Sequence, residues 1–295
     1  MTLLATLIDQ TLNEILLGTY RSHQNVLTNP VGATDLQLTL SYPIDAVGEG
    51  SYLEIDQELM YVIPGGVNGP GKTVTVQRHV RGTVAGSHAA GAQVFINPRF
   101  PRFNILNTMR EEVLSWPQNI YRVEILTTVV PHFTSGISIQ SLTTHEVTTV
   151  KNVWQVRTGN PDNRFVRMSG WRFEKELGTL WLRKPSNTYA DQYEILAGTK
   201  IDPANASPSW SEVTDVALIG ISDSMVDILK YGSAWRLIQG REPKRLFTEE
   251  ENESRNAQDV PVQANTGLAA QMKKLRDTRL GEEMFRLRSN NGVRG

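Results

Sequence analysis

YLEIDQELMYVIPGGVNGPGKTVTVQRHVRGTVAGSHAAGAQV, residues Tyr52 to Val94, is the stretch on which the reading of the fold turns. Tyr52-Leu53-Glu54-Ile55-Asp56 alternates with period two, as a half-buried strand does. Leu59 to Ile63 is a second apolar, β-rich run. Pro64 to Gly71 (PGGVNGPG) predicts a turn or loop, because Gly supplies positive φ and Pro fixes it. Thr73 to Val80 alternates again. Arg81-Gly82-Thr83 and Gly86 to Ala92 predict small-residue connections, and Gln93 to Ile96 completes a small β-module. No catalytic grouping accompanies it.

Working outward, the chain has 295 residues and a formal net charge of −1, so no global field drives it to nucleic acid or membrane. It contains no cysteine, which excludes disulfides, thiolate metal sites and cysteine nucleophiles. The first residues lack the basic, apolar and small-residue sequence of a secretory signal. No run of apolar residues reaches the length of a membrane span. These features lead to the expectation of a protein made in a cytoplasm, with no membrane partner.

Helical spacing appears in four places. Thr2 to Leu17 carries Leu4, Leu7, Ile8, Leu12, Ile15 and Leu16 on one face, with Thr2 as cap and Gly18 as stop. Asn104 to Trp116 follows the stiff link Pro98-Arg99-Phe100-Pro101-Arg102-Phe103 and ends at Pro117. Val213 to Gln239 predicts one long helix containing Gly220 and Gly232; a glycine inside such a helix marks a break or a close backbone approach. Gly267 to Leu287 is the last, sparse in apolar residues and rich in charge, so it is expected to bury little within its own chain. Phe247 to Asp259 is polar and locally acidic. Residues 289–295 read as a tail.

Between Tyr121 and Ser211 the period changes to that of strands. Val123–Leu126, Gly136–Ile139, His145–Val150, Val153–Arg157, Phe165–Phe173, Thr179–Leu182 and Tyr193–Leu196 are short β-rich runs separated by turn residues, which predicts a β-sandwich. Trp154, Trp171 and Trp181 are expected to fill its core. The fold class expected is therefore α+β: a helical bundle (1–33, 98–120 and 212–246) carrying a small β-module (34–97) and an inserted β-sandwich (121–211). An acidic loop and charged C-terminal helix (247–295) follow.

Few residues suggest chemistry. His23, His79, His88, His132 and His145 include no pair at helical ligand spacing and no HExxH; His79 and His88 flank a turn and could meet, but a surface or turn histidine is the plainer reading. Gly66 with Gly71-Lys72-Thr73 has the spacing of a phosphate loop. Pro70 removes one of the cradling N–H groups, however, and a strand rather than a helix follows, so a hairpin loop is expected. No GxSxG occurs. Glu249-Glu250-Glu251 and the Asp223/Asp227 pair read as solvated carboxylates. Tyr189, Tyr193 and Trp181 could form a sugar-stacking platform or be core. Nothing points to catalysis, to a metal or to a cofactor.

The strand with Glu-Leu-Met-Tyr-Val, followed by Val-Gln-Arg-x-Val-Arg-Gly-Thr-x-Ala-x-Ser-His-Ala-Ala-Gly-Ala, resembles a module common in tailed-bacteriophage virion proteins. The layout of helices, with Asp227 to Leu237 (DILKYGSAWRL) ahead of a charged C-terminal helix, resembles the head-to-tail adaptor (neck) proteins of tailed phages. That family often lacks an inserted sandwich.

The resemblance implies a structural virion protein that forms a homo-oligomeric ring, a dodecamer, beneath the portal protein. The ring joins capsid to tail, contacts a downstream tail or nozzle protein, and lets packaged DNA pass without sequence-specific contact. It also implies a virion location in the neck. The portal-binding residues it implies lie on the C-terminal helix: Leu268, Met272, Leu275, Met284, Phe285 and Leu287, with the charges Lys273, Lys274, Arg276, Arg279, Arg286 and Arg288. The alternative is a tail-fibre-attachment or carbohydrate-binding virion protein that uses the sandwich.

Overall fold

Side-chain alternation along the strands decides which faces become core. In β3 (Tyr52–Ile55) Leu53 and Ile55 turn inward, in β4 (Glu58–Asn68) Met60 and Val62, in β5 (Thr73–Gln77) Val74 and Val76, and in β6 (Gln93–Ile96) Val94 and Ile96. With β1 (His23–Val26) and β2 (Gln37–Thr39) they form a six-stranded antiparallel sheet in the order β1-β6-β3-β4-β5-β2. The sheet curls into a half-barrel. Its two edges meet just beyond β1 and β2, where Leu27 bridges Leu40, Thr28 N–H donates to Thr39 O and Ser41 N–H donates to Val26 O.

The computed structural model describes residues 3–16, 23–42, 47–68, 73–130, 135–156, 165–168, 170–182, 191–203, 210–211, 215–239 and 264–289. The chain divides into two compact units. One comprises Thr6–Met109 with Ser233–Ala270 and holds the half-barrel; the other comprises Met1–Ala5, Arg110–Gly232 and Gln271–Gly295. In the first, Arg102 at the start of helix α2 (Arg102–Leu114) donates its backbone N–H to the buried Glu54 of β3 at 2.5 Å, and its guanidinium pairs with Asp9. Helix α1 (Leu4–Gln10) carries the fully buried Leu4, Leu7 and Ile8 and continues as a π-helical stretch to Leu16.

The second unit has two antiparallel sheets. In one, β7 (Arg122–Val130), β9 (Val147–Val156), β10 (Phe165–Arg167) and β13 (Asp191–Thr199) lie in the order β10-β9-β13-β7. In the other, β8 (Gly136–Ser138), β11 (Trp171–Glu174) and β12 (Thr179–Leu182) lie in the order β11-β12-β8. Both line one apolar core, with Leu126, Val153 and Ile195 from the first sheet and Ile137, Leu180 and Leu182 from the second.

The expected helical bundle with a small β-module is overturned: the chain is mostly β, arranged in three sheets, with four α-helices among the described residues. Two of its apolar cores are built by strands and the segments that connect them, with no α-helical residue among their buried members. The physical reason lies in how the periodic segments end. Val213 to Gln239 is not one helix. Gly220 adopts φ +87°, a left-handed conformation that interrupts helical hydrogen bonding, and helix α3 starts only at Asp223 (Asp223–Gln239). Residues 23–26, which lie within the expected bundle region 1–33, form β1, because HQNV has no alternation to reveal a strand whose pairing with β6 is set at long range.

Two further expectations change. Pro64-Gly65-Gly66 lies inside β4 as a bulge. The pairing with β5 jumps from Val62–Val76 to Val67–Val74, and Gly65 takes φ +70° there. The tryptophans do not all fill the core. In Thr179-Leu180-Trp181-Leu182 the two leucines face inward, so Trp181 stays 40% exposed over Gly136. Trp154 is buried, but it lies opposite Glu194 on the face away from Val153, and Trp171 packs at the core's margin.

Candidate functional site

Helix α4 (Ala264–Ser289) holds all the residues implied in portal binding. Spacing by three or four residues aligns Met272, Arg276, Leu280, Glu283 and Leu287 on one side. Met272, Leu280, Glu283 and Leu287 are buried, which corrects the expectation that this helix buries little. The correction comes from charges seated in the buried stripe, where a hydropathy reading sees only polarity. Arg276 donates from Nε to Glu112 Oε1 at 2.8 Å and from Nη1 to Asp277 at 2.8 Å. Glu112 is fully buried and also accepts the Trp116 indole N–H at 3.1 Å. Glu283 accepts from Arg286 through both carboxylate oxygens, at 2.8 and 2.5 Å.

The helix end is held in the same way. The Tyr121 hydroxyl donates to Leu287 O at 3.1 Å, and Lys151 Nζ donates to the same oxygen at 3.3 Å while lying over the Tyr121 ring. This satisfies a carbonyl that the last helical turn leaves open. Asn119 Nδ2 approaches Met284 Sδ at 3.0 Å. The other implied residues face outward: Lys273, Lys274, Leu275, Arg279 and Arg288 are exposed, Leu268 is half-buried, and Phe285 is 73% exposed. The twelve residues therefore split into an inward set that secures the helix and a set on its more exposed side.

Beside the end of α4 lies a groove of about 640 Å³, floored by Val123, Ile125, Trp154 and Leu196 and walled by Gly220 and Met225. Its cations are already engaged. Arg122 pairs with Glu124 at 3.1 Å and donates to Leu218 O at 3.2 Å, Arg286 pairs with Glu283, and Lys151 caps Leu287. The groove offers apolar contact rather than an anion-binding or acid–base constellation.

The half-barrel contains a buried charge network. Arg78 donates from Nε to Glu58 Oε1 at 2.8 Å, from Nη2 to Glu58 Oε2 and to Gly86 O at 2.6 Å, and from Nη1 to Gly32 O. His88 places Nδ1 2.9 Å from Asp56 Oδ2 and Nε2 2.9 Å from Glu58 Oε2. Thr83 Oγ1 donates to Val80 O at 2.9 Å. The side chains of Glu58, Arg78 and His88 are 1%, 3% and 3% exposed, so burial would be costly without this pairing.

The hydrogen bond from His88 holds the Asp56 carboxyl below its usual value. Burial opposes ionisation of Glu58, but hydrogen bonds from Arg78 and His88 outweigh it and its pKa is lowered. His88 is raised, first by Asp56 and, against burial, by Glu58. The network joins words of sequence that are far apart, Glu58 of ELMYV, Arg78 of VQR and His88 of SHAAG, while Thr83 of RGT bonds the Leu59 and Val80 backbone beside it. No periodicity announces it, since the β4–β5 pair and the loop after it must close before these groups meet.

The remaining candidates do not converge. His79 is exposed at a turn with φ 60°, His23 is exposed, His145 lies 3.8 Å from Glu124, and His132 lies outside the described residues. Among the described residues no group of His, Asp or Glu is arranged to hold a metal. Thr73 opens strand β5, paired to Asn68, so the phosphate-loop spacing falls on a β-hairpin; Lys72 itself lies outside the described residues. Tyr193 is a core residue, Trp181 bonds Glu174, and Tyr189 lies outside the described residues, so no sugar platform is assembled among the described ones. Asp227 pairs with Lys230 on α3, and Glu249 to Glu251 lie outside the described residues. Among the described residues no helix is long and apolar enough to cross a membrane. Compared with known proteins, the chain matches no family model and no curated protein.

Proposed function

We propose that this chain is a non-catalytic structural subunit of a tailed-phage virion. Its role is that of a head-to-tail adaptor: a ring of identical copies beneath the portal that joins capsid to tail around the DNA exit channel. The observation that carries the reading is the network of Glu58, Arg78 and His88. The words of sequence that resemble phage virion modules supply the buried, mutually dependent groups of one network. A likeness among such groups is a likeness of architecture, whereas a likeness among exposed residues can arise from composition alone.

The outward set on α4 supports the adaptor role. Phe285, Leu275, Lys274 and Arg288 stand exposed on a helix whose opposite side is already secured, as an anchor aromatic with a charged rim would. The test is co-sedimentation of the chain with purified portal rings, using Phe285→Glu as the variant. Saturable binding that this variant loses at unchanged melting temperature supports the reading. Absence of binding, together with density for the chain at the tail tip or capsid surface in electron microscopy of virions, would reject it.

A further inference from the structure

We propose that β7 is an assembly edge at which a second copy of this chain adds its own β7, antiparallel, so that two four-stranded sheets become one. The inference stands on the sheet alone and does not depend on the adaptor role.

β7 is the edge strand of its sheet and, among the described residues, pairs only with β13. From Val123 to Val130 its backbone makes no other hydrogen bond among the described residues. Nine residues at the rise of a β-strand give an unpaired edge about 30 Å long. Soluble proteins blunt such edges with lysine, proline, bulges or a covering segment. The half-barrel does so by bringing its two edges together at Leu27 and Leu40. The stretch Ile125-Leu126-Thr127-Thr128-Val129-Val130 has no charge, no proline and no glycine. Its outward face carries Val123, Ile125 and Val129, which are 48%, 53% and 63% exposed. An apolar edge this long is a template for another strand.

The sequence of the strand indicates which strand it takes. Laid antiparallel on itself about Leu126, β7 sets Val123 against Val129 of the partner subunit and Ile125 against Thr127 of the partner subunit, all on the outward face. On the inward side Glu124 meets Thr128 of the partner subunit, and Arg122 meets Val130 of the partner subunit. The strand's two charges, Arg122 and Glu124, already paired to each other, sit at one end, so no like charges oppose each other across the dyad. Two such edges bury on the order of 1,000 Å² in total, the size at which a specific contact begins. The contact is isologous and closes at two copies, which distinguishes it from the head-to-tail contacts of a ring.

The test is sedimentation of the full chain at tens of micromolar, beside Ile125→Glu and Val129→Lys. The expected result is a concentration-dependent dimer in the parent. Each variant weakens it by at least about tenfold at unchanged melting temperature, because these side chains already face solvent. The register is read independently with the double variant Ile125→Cys/Thr127→Cys, which in this cysteine-free chain should yield a thiol-reversible covalent dimer on mild oxidation. A monomeric parent would assign the edge to a strand of a different protein and overturn the proposal. A dimer that survives both charge variants, or a double variant that does not cross-link, would overturn it as well.

Discussion

Arg78 and Glu58 are where one residue matters most. Both are buried and each satisfies the other. Arg78→Ala leaves the Glu58 carboxylate in the interior with His88 as its remaining cationic neighbour, and should cost about 3–5 kcal/mol in urea unfolding. The network also sets a pH window. The raised His88 pKa contributes stability that is complete below the ordinary imidazole value and is lost as pH rises through the folded-state value. The lowered Asp56 and Glu58 contribute stability that is present above the ordinary carboxylate values and lost as pH falls through theirs. The melting temperature should therefore fall on both sides of a plateau. In His88→Gln, which does not titrate, the overall melting temperature should be lower and the alkaline decline absent. An alkaline limb that persists unchanged would show that another group causes it.

At the scale of elements, two glycines in helices have opposite predicted responses. Gly232 of α3 faces Glu112, and a Cβ there would lie 2.3 Å from Glu112 Cδ. Glu112 cannot retreat, because Arg276 and Trp116 hold it. Gly232→Ala should destabilise by about 1–3 kcal/mol despite alanine's better helix propensity. Gly281 of α4 has open space around it, and Gly281→Ala should stabilise by about 0.5–1 kcal/mol. Chemical denaturation of the two variants checks both signs. The helix reading already gave Gly220 and Gly232 as positions of break or close approach. The structure makes Gly220 the break and Gly232 the approach, a division that needed the neighbours Arg122 and Glu112 to be known.

At the scale of the whole molecule, the C-terminal helix from Gln271 onward belongs to the unit of Arg110–Gly232. Removing residues 271–295 deletes the buried Met272, Leu280 and Leu287, each worth about 1.5–3 kcal/mol of burial, and strands Glu112 without Arg276. Hydrogen exchange on the truncated chain should show protection lost across Arg110–Gly232 and kept across Thr6–Met109. Equal protection in both would show that α4 contributes only a surface.

The sequence by itself determined those strands whose pattern is local. Alternation located β3 and β5, and β-rich composition between turn residues located β12 to the residue, because both are properties of a single segment. It also excluded disulfides, by the absence of cysteine. Tertiary structure alone decided the balance between helix and sheet, the strand β1, the outward turn of Trp181, the burial of Glu283 and the pairing of Arg276 with Glu112, and the meeting of Glu58, Arg78 and His88. The reason is the same in each case. Where a residue's partner lies many residues away, its burial and charge are fixed by closure of the chain, and no local period carries that information.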